Sequence, residues 1–155
     1  MDYELLCRQL DSLSESVKSG ISILANASAL LYQSLPELNW AGFYLVHDRT
    51  LFLGPFQGRT ACTEIPFGKG VCGQAWQQEK TRRVPDVHAF PGHIACDGAS
   101  RSEIVIPFRI GGKIVGVLDL DSPVTDRFSA LDEAGLEQFC RTLEKCLPDV
   151  NVSGL

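Results

Sequence analysis

Three cysteines of this 155-residue chain, Cys62, Cys72 and Cys96, stand in glycine- or proline-rich turn segments: Ala61-Cys62-Thr63, Gly70-Val71-Cys72-Gly73 and Pro91-Gly92-His93-Ile94-Ala95-Cys96-Asp97. Structural thiols normally occupy apolar positions of helices and strands, so thiols in turns point to nucleophilic or redox chemistry. Cys7, Cys140 and Cys146 fall instead in helical patterns and read as packing residues. A second set is acidic. Asp119 and Asp121 lie two apart in the strand-like run Val115 to Asp121, so both project from one sheet face. Facing partners in a hairpin turning at Gly111-Gly112 have residue numbers that sum to about 223, which brings Glu103 toward them. Three carboxylates so placed repel unless a cation or a shared proton joins them, which suits an ammonium ligand or a carboxylic acid kept protonated near neutrality. The plain alternative is a solvated strand end. Trp40 and Tyr44, four apart, share a strand face and read either as core or as an aromatic wall for a small apolar group.

Two further constellations compete. Gly68-Lys69-Gly70-Val71-Cys72-Gly73 fits the dinucleotide pattern G-x-G-x-x-G, but that fingerprint needs a parallel strand-helix-strand unit, and hairpins surround it here. The glycines serve better as a tight turn that puts Cys72 in the first turn of a helix, where free N–H groups would favour a thiolate. His88, His93, Cys96 and Asp97 are all capable of binding zinc, though without the paired spacings that mark such sites.

The elements that must position these residues are legible in the periodicity. Leu6, Leu10, Leu13, Val17, Ile21, Leu24 and Leu31 recur at helical spacing, with Gly20 as the expected break between two helices. The second of these is apolar on more than one side, as a helix packed on a sheet and on a partner would be. Trp40 to Val46 and Thr50 to Phe56 form one hairpin, and Ile104 to Ile110 and Lys113 to Asp121 another. A last helix runs from about Phe128 to Leu147, opened by the capping-box spacing of Ser129 and Asp132 and stopped by Pro148, after which the tail reads as frayed. The expected class is α+β: a mostly antiparallel sheet with N- and C-terminal helices packed on one face. Between the hairpins, residues 60–100 make a long excursion, which in a small domain is usually functional.

Composition narrows the partners. A net charge of -5 with no basic cluster excludes a phosphate-tracking surface, hence nucleic acid. No stretch approaches the length of a membrane span and the first residues lack a signal-peptide pattern, so a cytoplasmic protein with reduced, chemically active cysteines is expected.

Leu38-Asn39-Trp40-Ala41-Gly42-Phe43-Tyr44, Gly54-Pro55-Phe56-Gln57-Gly58, Pro66 to Gly73, Val84 to Cys96, Ser100 to Glu103 and Gly116 to Ser122 together resemble the free methionine-R-sulfoxide reductases, enzymes built on the GAF domain. The resemblance runs from about Asn39 to Phe128, and the stretch from Val84 to Glu103 separates it from sensory GAF domains. It implies one GAF domain over 1–155 with a core at about 20–147, and a homodimer. The implied activity is reduction of free L-methionine-(R)-sulfoxide at the expense of thioredoxin, with no cofactor and no metal. Carried over residue by residue, it makes Cys96 the nucleophile, Cys62 the resolving thiol and Cys72 a second thiol able to enter disulfide exchange, the division between the last two being left open. On that reading Glu103 or Asp121 protonates the sulfoxide oxygen, Asp119 and its neighbouring carboxylates bind the substrate ammonium, and Trp40 and Tyr44 enclose its methyl group. A non-enzymatic GAF sensor and a zinc-loaded domain are the rival readings.

Overall fold

Asp2 and Ser19 begin the two N-terminal helices by accepting backbone N–H bonds on their side chains, from Leu5 at 2.9 Å and Ser22 at 3.2 Å. In the computed structural model, which describes residues 1–147, these helices are α1 (Tyr3–Ser14) and α2 (Gly20–Ser34). Gly20 is not itself the break. The chain leaves the helical path at Glu15, turns through Ser16 at φ 63°, and Gly20 is already the first residue of α2.

Six strands follow: β1 (Trp40–His47), β2 (Thr50–Gly58), β3 (Glu64–Pro66), β4 (Arg82–Val84), β5 (Ser102–Ile110) and β6 (Lys113–Ser122). They form one sheet in the order β3-β2-β1-β6-β5-β4, every neighbouring pair antiparallel. The β5–β6 turn uses Gly111 and Gly112 at φ 61° and 79°, values that a Cβ-bearing residue adopts only under strain. Helix α3 (Gly70–Gln78) and a 3-10 turn at Val87–Ala89 lie in the excursion between β2 and β5. Helix α4 (Ala130–Cys146) opens with the expected capping box, Ser129 and Asp132 each bonding the other's backbone N–H. The reading of a frayed tail after Pro148 falls outside the described residues.

Alternation along the strands divides the core in two. Ala41, Phe43, Leu45, Ile104, Ile106, Leu118 and Leu120 face α1, α2 and α4, with Cys140 fully buried and Cys7 and Cys146 packed at the margin, as expected of packing thiols. Trp40, Tyr44, Val105 and Val117 face the other way, into a smaller cluster with Ile65, Val71, Cys72, Ala75 and Val87. The terminal helices thus cover one face, and α3 with the excursion covers the other, which is where the polar residues of interest collect.

Candidate active site

The acids meet through a register change. Next to the β5–β6 turn, Ile110 faces Lys113 and Arg109 faces Ile114, a sum of 223; from Phe108 and Gly116 onward the sum is 224. Val115 is the extra residue of a β-bulge, and beyond it every side chain of β5 pairs one position further along β6. The sum of about 223 expected from sequence therefore needs correction at the end that matters: Glu103 faces Asp121 directly, with Asp119 two residues on along the same face. Across the sheet β1 sets Trp40 opposite Asp121 and Gly42 opposite Asp119.

Glu103 and Asp119 are 6% and 5% exposed, and among the described residues none of the three acids enters an ion pair. Burial first and the neighbouring carboxyls second push all three well above the usual carboxylate range. For Asp119, polar contacts with Glu103 and Cys72 work in the opposite direction, and its Oδ1 is buried without a hydrogen-bond partner. A buried acceptor left open costs free energy until a donor arrives.

The thiols divide sharply. Cys62 and Cys96 are joined in a disulfide with their Cα atoms 5.3 Å apart. Tyr44 holds the first of these segments, its hydroxyl donating to the Cys62 carbonyl at 2.9 Å. Cys72 does sit in the first turn of α3, but the expected thiolate is corrected: its Sγ is buried 4.0 Å from Glu103 Oε2, and burial together with Asp119, Glu103 and Asp121 raises its pKa well above the ordinary thiol value. Nearby anions and lost solvation outweigh the end of a short helix.

The aromatic wall contains one more ring than the sequence suggested. Trp40 stacks on Tyr44 at 5.8 Å between centroids and on Phe56 at 5.1 Å. Trp40 Nε1 is tied to the Arg59 carbonyl at 3.1 Å. Gly42 makes this possible: a Cβ there would collide with Phe56 and lie 2.8 Å from the Trp40 ring. Phe56 belongs to the run Gly54 to Gly58, and its role depends on facing Gly42 across the strands, a position that sequence spacing does not reveal.

These groups line one pocket of about 40 Å³, in which Trp40, Tyr44, Cys72, Cys96, Glu103, Asp119 and Asp121 all take part. Lys69, exposed at the N-cap of α3, and His93 lie on its lining as well, and neither was singled out for it from sequence. Burial and His88 lower the pKa of His93. As for metals, the Cys96 sulfur is committed to Cys62, so His88, His93, Cys96 and Asp97 do not form a ligand set in this state. Among the described residues the donor atoms that cluster within 4.8 Å of one another are those of Cys72, Glu103 and Asp119, inside the same pocket. The dinucleotide reading fails on topology, since β3 pairs antiparallel with β2 and no parallel unit frames the glycines.

The family model of the GAF domain matches residues 24–147. The Escherichia coli (strain K12) protein named free methionine-R-sulfoxide reductase is 53% identical over 145 residues, covering 94% of this chain and 88% of that protein. The chain belongs to the free methionine-R-sulfoxide reductase family of GAF domains. Its GAF domain also superposes on the structure of fRMsr of Staphylococcus aureus in complex with substrate, with a TM-score of 0.90 and 51% identity over 94% of this chain and 95% of that one. Protein YtsP of Bacillus subtilis (strain 168) is 61% identical over 148 residues, covering 94% of this chain and 91% of that protein.

Proposed function

We propose that this chain reduces free L-methionine-(R)-sulfoxide to L-methionine, with Cys96 as nucleophile, Cys62 as resolving thiol and thioredoxin as reductant. The observation that carries the reading is the Cys62–Cys96 disulfide beside a pocket walled by Trp40 and Tyr44 and floored by three carboxyls, Glu103 and Asp119 buried and Asp121 half-buried. A sulfoxide sulfur is a poor electrophile until its oxygen takes a proton, so the reaction needs a thiolate and an acid together. Cys96 attacks the sulfur while Glu103 or Asp121 gives the proton, each raised first by burial and then by a neighbouring carboxyl, Asp119 for Glu103 and Glu103 for Asp121. Methionine leaves and the oxygen stays on Cys96 as a sulfenic acid; the Cys62 thiol condenses with it, releasing water and forming the disulfide. Two thiols of thioredoxin then reduce that disulfide by exchange and end oxidised themselves, so the two electrons lost by thioredoxin equal those gained by the sulfoxide.

Asp119 binds the substrate ammonium through its open Oδ1, and the arriving positive charge offsets the burial and the Asp121 repulsion that raise its carboxyl in the empty site. Lys69 on the rim supplies the opposite charge for a zwitterion. With the disulfide closed, about 40 Å³ admits only a few water molecules, less than an amino acid. Reduction therefore frees the segment carrying Cys96 to admit substrate. A homodimer of single domains in the cytoplasm, where thioredoxin keeps thiols reduced, completes the reading. Among the described residues no helix is long and apolar enough to cross a membrane.

The test is NADPH oxidation coupled through thioredoxin and its reductase, with R-sulfoxide, S-sulfoxide and N-acetylated R-sulfoxide offered separately. Consumption with the free R-epimer alone is expected, because loss of a buried charge-assisted contact discriminates far more strongly than one methyl group does. Equal turnover of the acetylated compound, or methionine release from a Cys96→Ser variant in a single turnover, overturns it.

A further inference from the structure

We propose that Asn39 is a positioning residue: its side-chain amide pins the segment that carries Cys96, so that the nucleophile stays within reach of Cys62 when the disulfide is open. Asn39 Nδ2 donates to Asp97 Oδ2 at 3.0 Å and to Ser100 Oγ at 3.1 Å. Both acceptors follow the nucleophile, Asp97 immediately. They belong to a turn closed on itself, in which Ala99 N–H donates to Asp97 Oδ1 at 2.9 Å and Ser100 N–H donates to the Asp97 carbonyl at 3.2 Å. The backbone of Asn39 is fixed from the other side, its N–H donating to the Asp121 carbonyl at 3.0 Å. One residue thus connects the acid-bearing strand β6 to the nucleophile's turn.

The rest of that segment is held by the packing of Phe90 and Ile94 on the pocket-side cluster, with few hydrogen bonds to other elements. The other hydrogen bonds of residues 90–100 among the described residues stay within the segment or reach the adjoining 3-10 turn: Phe90 N–H to Val87, His93 N–H to Phe90 and Cys96 N–H to Ile94. The orientation of the amide is chemically determined, because Asp97 Oδ2 only accepts and the oxygen of the amide would repel it. The cost is visible as well. Asn39 Oδ1 is buried without a partner, a penalty that a side chain serving only to fill space does not incur. What Asn39 contributes here is its pair of donors. Once the covalent link to Cys62 is cut, the Asn39 bonds extend to Asp97 the anchorage that Arg101 makes with its N–H on the Ser122 carbonyl at 2.7 Å, and Cys96 moves about a fixed hinge instead of a free loop.

The inference rests on Cys96 and Cys62 being the exchanging pair, but the redox equilibrium that tests it is read without substrate. Full-length wild type, Asn39→Ala, Asn39→Asp and Asp97→Ala are equilibrated in dithiothreitol redox buffers, and the Cys62–Cys96 disulfide is quantified by alkylation and mass spectrometry. Asn39→Ala is expected to lower the disulfide equilibrium constant about tenfold, a shift of about 30 mV toward easier reduction. Asn39→Asp, nearly the same shape but without donors and facing Asp97, is expected to do worse. Asp97→Ala cuts the stronger of the two bonds from the opposite side and shifts the constant in the same direction. After one equivalent of sulfoxide, dimedone should trap more Cys96 sulfenic acid in Asn39→Ala than in wild type, because condensation slows. An unchanged equilibrium constant in both Asn39→Ala and Asp97→Ala, or wild-type behaviour of Asn39→Asp, overturns the proposal. A shifted constant in a protein that turns over no sulfoxide would instead overturn the proposed function alone.

Discussion

Opening the disulfide should destabilise the domain by a calculable amount, and the variants that abolish this difference identify the resolving thiol. Cys62 and Cys96 are 34 residues apart in sequence, and cross-linking a loop of that length removes enough entropy from the unfolded chain to stabilise the native state by about 4 kcal/mol. For a chain of this size that corresponds to roughly 8 to 15 °C in melting temperature. The assay is urea unfolding followed by tryptophan fluorescence, with oxidised protein compared with protein held in excess dithiothreitol. A Cys72–Cys96 bridge, 24 residues apart (96 minus 72), would give about 3.5 kcal/mol, so the size of the gap does not discriminate between the two. The variants do. Cys72→Ser should keep the gap between oxidised and reduced protein, and Cys62→Ser should lose it, because Cys72 is buried beside Glu103 and its thiol is held protonated by the acids around it. A gap that survives in Cys62→Ser and vanishes in Cys72→Ser refutes the assignment of Cys62.

The acid cluster makes a prediction in the absence of substrate. Because Glu103, Asp119 and Asp121 are raised in the folded protein, the native state keeps protons that the unfolded chain releases above the ordinary carboxylate range, so stability falls as pH rises from about 4 toward neutrality. Glu103→Gln should flatten that decline and exceed wild type in urea midpoint at neutral pH while losing sulfoxide reduction; parallel pH profiles for the two proteins would contradict the cause given for the shifts. Gly42→Ala should cost about 1 to 3 kcal/mol by overpacking, since its Cβ lies 2.8 Å from the Trp40 ring. It should also change the near-UV circular dichroism of the stacked rings and lower kcat/KM at least tenfold, and a variant with wild-type spectrum and activity would show that the aromatic wall does not need this glycine.

The sequence by itself determined a great deal. Helical spacing with the cap at Ser129, two hairpins with glycines at the tighter turn, and thiols in glycine- or proline-rich segments all depend on interactions between residues close in the chain. Motif likeness then named the family from local stretches. Even the pairing of Asp119 with Asp121 on one face follows from the two-residue period of a strand.

Tertiary structure decided what depends on distance along the chain and on parity. In a regular hairpin with Ile110 facing Lys113, Glu103 would face Leu120, and Asp119 and Asp121 would take the opposite face from it; the single extra residue Val115 shifts β6 by one and puts both acids with Glu103. The pairing of β1 with β6, which brings Trp40 opposite Asp121, joins strands separated by most of the domain, and no local pattern encodes it. Nor does any spacing tell that Cys72 lies buried among acids while Cys62 meets Cys96. Local chemistry is written in neighbouring residues, but which face a side chain takes and which charges surround it emerge only when distant strands choose their register.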